Sequence, residues 1–162
     1  MKLSLTNPFA HIPKYAPYPG SSNDAWHQIP LGVGKRNQVF WETSWCPMAL
    51  ITGSTGGGKS VIQRNIIFHC IQHPDHWRFI GIDLTKVELT PYAKYDDVVM
   101  GIATNLADGV EALRYTTEEM MSRYKDMVDQ DRNYFRDLRE PPHALMVMID
   151  EAYMFLAKSE AD

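Results

Sequence analysis

Cysteine is scarce in this chain of 162 residues: there are two, Cys46 and Cys70, and no CxxC spacing joins them. A disulfide framework is thereby excluded, and reduced thiols in a reducing compartment are expected. Nor is there an excess of basic charge, since the net charge is -4 and the isoelectric point lies near 5.8. A surface that is basic throughout, able to coat nucleic acid, is ruled out, while a local basic patch or a ring lumen is not. Long apolar runs are missing too. None reaches membrane-spanning length and no signal-peptide pattern opens the chain, so a soluble, cytoplasmic protein is expected. The length and the 44% hydrophobic content suit one domain with a single sizeable core.

What the chain does contain is chemistry at two short stretches. Residues 53 to 60 read Gly-Ser-Thr-Gly-Gly-Gly-Lys-Ser, a complete Walker A phosphate loop. The apolar run 48–52 ahead of it predicts a buried strand, and the segment 61–68 after it predicts a helix. Gly53, Gly56, Gly57 and Gly58 allow a tight turn with no side chain in the way, so that backbone N–H groups from Gly53, Ser54 and Thr55 through to Val61 can face an anion at a helix N-terminus. Lys59 is the cation for the β and γ phosphates, and the Ser60 hydroxyl is a ligand for Mg2+. The competing reading is a glycine-rich turn that caps a helix and binds nothing.

The second stretch is Ala144-Leu-Met-Val-Met-Ile-Asp150-Glu151, an apolar strand closed by two carboxylates. It has the form of a Walker B motif. Asp150 at the strand's C-terminal end is placed to hold Mg2+, and Glu151 to orient and deprotonate an attacking water. Together the two motifs predict binding of a nucleoside triphosphate with its metal ion.

Between and around them the pattern alternates strand and helix, which predicts an α/β, three-layer fold with a mainly parallel sheet. Residues 1–28, with Pro8, Pro13, Pro17 and Pro19 among Tyr15, Tyr18 and Trp26, read as an extended arm; it straps its own domain or docks on a neighbouring subunit. The P-loop core is assigned to residues 29–162. Gly32-Val-Gly-Lys35 reads as the turn before a strand at residues 38–42. Strands are expected at 77–83 and at about 97–102. From Leu106 a stripe of Val110, Leu113, Thr117, Met120, Tyr124 and Met127 predicts a long amphipathic helix capped by Thr104 or Asn105, its stripe covering the sheet or, alternatively, forming a coiled coil. His69, His73 and His76 beside Cys70 admit a metal site, although helix ends also collect histidines. Arg132, Arg136 and Arg139 lie in a charged connector, as a solvated face or as candidates for an arginine finger.

The motifs also occur in a telling order. Ile29-Pro-Leu-Gly32, the phosphate loop, Ile82-Asp83 with Val87-Glu-Leu89 and Tyr92, Ala112-Leu-Arg114, Glu119-Met120, Arg123-Tyr124 and Val147-Met-Ile-Asp-Glu151 resemble the FtsK/SpoIIIE family of DNA-pumping ATPases. That resemblance implies a RecA-like fold, ATP hydrolysis with Mg2+, a homo-oligomeric hexameric ring, and double-stranded DNA driven through its lumen. Two departures accompany it. The family's lysine two residues beyond the position of Asp83 is Thr85 here, with Lys86 next, and the chain stops 11 residues after Glu151. The sheet is therefore expected to be incomplete on its C-terminal side, with a protein partner or a longer chain completing the motor. Two further readings remain open: a shortened ATP-binding module that acts through a partner, and a small phosphoryl-transfer kinase, which the Asp-Glu pair on the strand disfavours.

Overall fold

The structure, a computed structural model, describes residues 25–34 and 37–158. The expected arm lies outside the described residues as far as Asp24, and so does Lys35. Two compact units meet in the sequence between His73 and Pro74.

In the first unit, β1 (Gln28–Val33) and β2 (Gln38–Glu42) form an antiparallel pair. The register slips between Pro30 and Gly32, as expected where a proline removes a ladder N–H. Gly34 closes the turn by donating its N–H to Asn37 O at 2.8 Å. Helix α1 (Lys59–Gln72) packs on β1, burying Ile66, Ile67, Cys70 and His69 along with Ile29. The predicted strand at 48–52 is absent. Residues 46–54 have no regular structure, and Met48 and Leu50 are 83% and 87% exposed. A strand exists only through its ladder partners, and among the described residues this segment pairs with none, so its apolar sequence is not enough.

The second unit holds a three-stranded parallel sheet in the order β4-β3-β5. Its members are β3 (Trp77–Asp83), β4 (Val99–Ala103) and β5 (Ala144–Asp150). β3 is central, and all but one of its residues are buried, as a strand flanked and covered in an α/β sheet should be. Helix α2 (Leu106–Asp129) makes the crossover from β4 to β5 and packs against β3 and β4. Of the two proposed caps Asn105 is the one used: its Oδ1 accepts from Asp108 N at 3.0 Å while its Nδ2 donates to the Asp108 carboxylate at 2.6 Å. Helix α3 (Tyr153–Lys158) follows β5. A Cβ on Gly109 would lie 2.8 Å from the Phe155 ring and 3.3 Å from Ile82, so glycine lets α2 approach both α3 and the sheet.

α2 does not bury the stripe the sequence predicts. Leu113 and Met127 are half-buried, but Val110, Thr117, Met120 and Tyr124 are exposed. The covered side runs through Leu106, Gly109, Ala112, Leu113 and Thr116 to Glu119, Arg123 and Met127, so apolar residues near the helix start give way to a polar pair further along. Arg123 bridges Glu119 at 2.7 Å and lies over the Phe135 ring, 5.1 Å from its centroid. This pairing lets a polar face pack on the 3-10 turn Phe135–Asp137, because the long side chains lay down apolar stems and keep their charges matched.

Candidate functional site

The phosphate-loop residues form a turn followed directly by a helix. Gly57 donates its N–H to Ser54 O at 2.8 Å, and a Cβ at Gly57 would come within 2.9 Å of that same oxygen. Gly56 and Gly58 have φ of 79° and 92°, left-handed values that favour glycine. Gly58 is the N-cap of α1; it offers no side-chain cap, and no acidic residue occupies the first turn. Lys59 and Ser60 are the first helical residues, and the first helical bonds run from Val61 N and Ile62 N to Gly58 O at 3.0 and 3.2 Å. The helix therefore opens on its positive dipole end with neither a side-chain cap nor an acidic residue in its first turn, an arrangement that suits a phosphate.

Asp150 and Glu151 sit at the C-terminal edge of the parallel sheet, where ligands of open α/β folds bind. Asp150 closes β5 and is buried. Glu151 is half-buried and has φ of 51°, an uncommon conformation for a non-glycine residue, of the kind that gathers at functional sites. Its carbonyl accepts from Met154 N at 2.9 Å, turning the chain from β5 into α3.

Asp83 is the register partner of Asp150 on β3, and it is fully buried. Its Oδ1 accepts from Thr85 Oγ1 at 2.8 Å; its Oδ2 accepts from Leu89 N, Thr90 N and Thr90 Oγ1 at 2.9, 3.1 and 3.1 Å. Burial works to raise its pKa, but these hydrogen bonds outweigh it and bring the carboxyl down to about 2. So of two adjacent strand-end carboxylates, Asp83 is committed to holding the 84–90 loop. Thr85, where the family has lysine, is one of its donors, and Lys86 beside it is exposed with φ of 63°. The sequence carried a signal for this role in the threonines two and seven residues beyond the aspartate.

His69 Nε2 donates to Trp26 O at 2.6 Å and His73 Nδ1 to His69 O at 2.8 Å, with the rings stacked 4.4 Å apart. Burial, partly offset by the Trp26 carbonyl, pulls the His69 pKa down to about 4. These histidines tie α1 to the residues before β1, and no cluster of three or more His, Cys, Asp or Glu side chains suited to a metal occurs among the described residues. Arg132, Arg136 and Arg139 lie in the connector between α2 and β5. Arg136 lies over the Tyr134 ring, 5.1 Å from its centroid, and the Arg139 backbone donates to Gln130 Oε1 at 3.0 Å. Among the described residues no helix is long and apolar enough to cross a membrane.

Comparison with known proteins agrees with this layout. A solved structure of the pCW3 conjugation coupling protein TcpA, in monomer form with ATPgS, superposes with a TM-score of 0.73 at 21% identity, covering 84% of this chain and 39% of that one. The shared fold is an α/β RecA-like P-loop core. DNA translocase FtsK of Chlamydia pneumoniae is 29% identical over 83% of this chain, and that of Mycobacterium leprae 34% identical over 62%. The chain spans 20% and 13% of the lengths of those two proteins. A family model described as FtsK/SpoIIIE family matches residues 18–159. Since that match runs from ahead of β1 to just past α3, taking in the phosphate loop, the Asp83 strand and the Asp150-Glu151 pair alike, the chain belongs to the FtsK/SpoIIIE family.

Proposed function

We propose that this chain is the ATP-binding and hydrolysing part of a motor that moves double-stranded DNA. The observation that carries the reading is the loop from Gly53 to Ser60, turned by glycines of positive φ and opening an uncapped helix at Lys59. The donor set fits a nucleotide with its divalent ion: N–H groups and a lysine for the phosphates, a hydroxyl and a carboxylate for Mg2+. In this reading Gly53, Ser54, Thr55, Gly56, Gly57, Gly58 and Val61 cradle the polyphosphate, and Lys59 neutralises charge on its β and γ groups. Ser60 and Asp150 hold Mg2+, which supplies Lewis-acid polarisation of the phosphate oxygens. Glu151 accepts the proton of the attacking water and aims it in line. The DNA substrate, assembly into a hexameric ring, a cytoplasmic setting and a protein partner completing the motor belong to the same proposal, supported by family membership.

The test is ATP turnover by the chain with and without long duplex DNA, with Lys59→Ala as control and the oligomer's mass measured alongside. DNA-stimulated turnover that the substitution abolishes supports the motor. Tight ATP binding with no turnover under any DNA condition would replace it with the binding-module reading, and phosphorylation of an added small acceptor with the kinase reading.

A further inference from the structure

We propose that the groove between α2 and the open edge of β4 receives an extended segment of a partner protein, one that alternates basic and apolar residues and adds to the sheet as a strand.

β4 is the outermost strand on its side of the sheet among the described residues. Its sequence, Val99-Met-Gly-Ile-Ala103, contains no charge and no proline, the usual means by which a soluble protein keeps strangers off a sheet edge. One irregularity is present. The register with β3 steps from Val99 to Gly101, so Met100 is an extra residue, and it is half-exposed. Beyond that bulge, Gly101 opens onto free space, since a Cβ there would meet nothing within 4 Å.

Alongside this edge runs a groove of about 500 Å3 with an apolar floor that includes Ile80, Ile102 and Ala112. Its α2 rim is acidic and aromatic: Asp108, Glu111 and Tyr115. No lysine or arginine lines it. Asp108 takes a hydrogen bond from Asn105, and Glu111 pairs with Arg114 at 3.3 Å, an exposed contact that water screens. Both carboxylates keep acceptor capacity for a further cation.

These features select the occupant. A strand edge is satisfied by main-chain N–H and C=O groups, which an extended segment offers and a helix has already used. The acidic rim selects basic side chains and suppresses acidic ones. A second copy of this chain fits poorly, because edge-to-edge pairing would bring two Asp108-Glu111 rims together in a molecule whose net charge is already -4.

The experiment uses the full chain and a fluorescein-labelled peptide, Arg-Val-Lys-Val-Arg-Val, read by anisotropy in low salt. Binding should weaken by about tenfold or more for Glu-Val-Glu-Val-Glu-Val, and by a similar factor when Glu111 is changed to Lys. The same basic peptide N-methylated at every residue keeps its charge but has no N–H to offer a ladder on either edge, and it too should bind about tenfold more weakly or worse. Far-UV circular dichroism establishes that the variant is folded. Equal binding of the N-methylated peptide would overturn strand addition in favour of plain charge attraction, and no binding of the parent peptide would overturn the site itself. Sedimentation gives the last outcome: self-association abolished by Met100→Lys would identify a second copy as the occupant and overturn the basic partner.

Discussion

Lys59 and Glu151 make opposite demands on the same chemistry, and substitutions should separate them. In the proposed function Lys59 is a point charge for phosphate, so Lys59→Ala is expected to weaken ATP binding by about tenfold or more, measured by titration calorimetry. Glu151→Gln retains shape and should leave binding nearly intact while turnover falls by roughly two to four orders of magnitude, the usual worth of a general base. A third substitution reads the backbone. Because Glu151 sits at φ of 51°, Glu151→Gly should raise unfolding free energy by about 1 kcal/mol while abolishing turnover. Denaturant unfolding checks this, and unchanged or lower stability would mean that the surrounding turn imposes no cost on the glutamate.

At the scale of elements, legibility followed how local the determinant was. Asn105 starts α2 because its side chain bonds the helix's own N-terminus, so the start at Leu106 could be read from a few residues. Asn105→Ala is accordingly expected to cost about 1 kcal/mol, seen as a fall of several degrees in Tm. The limits of β3 and β5 were equally legible, each an apolar run closed by aspartate. The segment 48–52 was not, since its strand depends on a neighbour that no local pattern encodes. Nor was the covered face of α2, where Arg123, Glu119 and Phe135 bury a polar side through a contact that spans the connector. The candidate site divides in the same way. Gly53 to Ser60 and Asp150-Glu151 stood out as motifs, whereas the role of Asp83 became visible only with the loop folded back onto its carboxylate. Thr85 and Thr90 were the available signal, but two threonines near a strand-end aspartate do not by themselves tell that the Leu89 and Thr90 N–H groups close on its carboxylate.

Across the whole chain, the two compact units carry buried groups whose protonation is linked to folding in different pH windows. His69 anchors α1 in the first unit, and its folded pKa near 4 lies below the ordinary 6.5. The unfolded chain therefore binds this proton first, and the stabilisation is present above about pH 6.5 and lost as pH falls towards 4, at most about 3 kcal/mol in all. In the second unit Asp83 has a folded pKa of about 2 against the ordinary 3.8. Its contribution is complete above about pH 4 and lost as pH falls through 2, at most about 2 kcal/mol. Acid should consequently loosen α1 before it loosens β3. Hydrogen exchange followed at stepwise lower pH, corrected for the intrinsic exchange rate, would show α1 amides around Ile66 and Ile67 losing protection between pH 6.5 and 4, with amides around Phe79 and Ile82 holding until below pH 4. His69→Gln keeps a donor for the Trp26 carbonyl but cannot titrate, so it should remove the first window and leave the second unchanged. Simultaneous loss in both units, in the parent chain and in the variant alike, would show that their folding is a single cooperative event in which neither group acts locally.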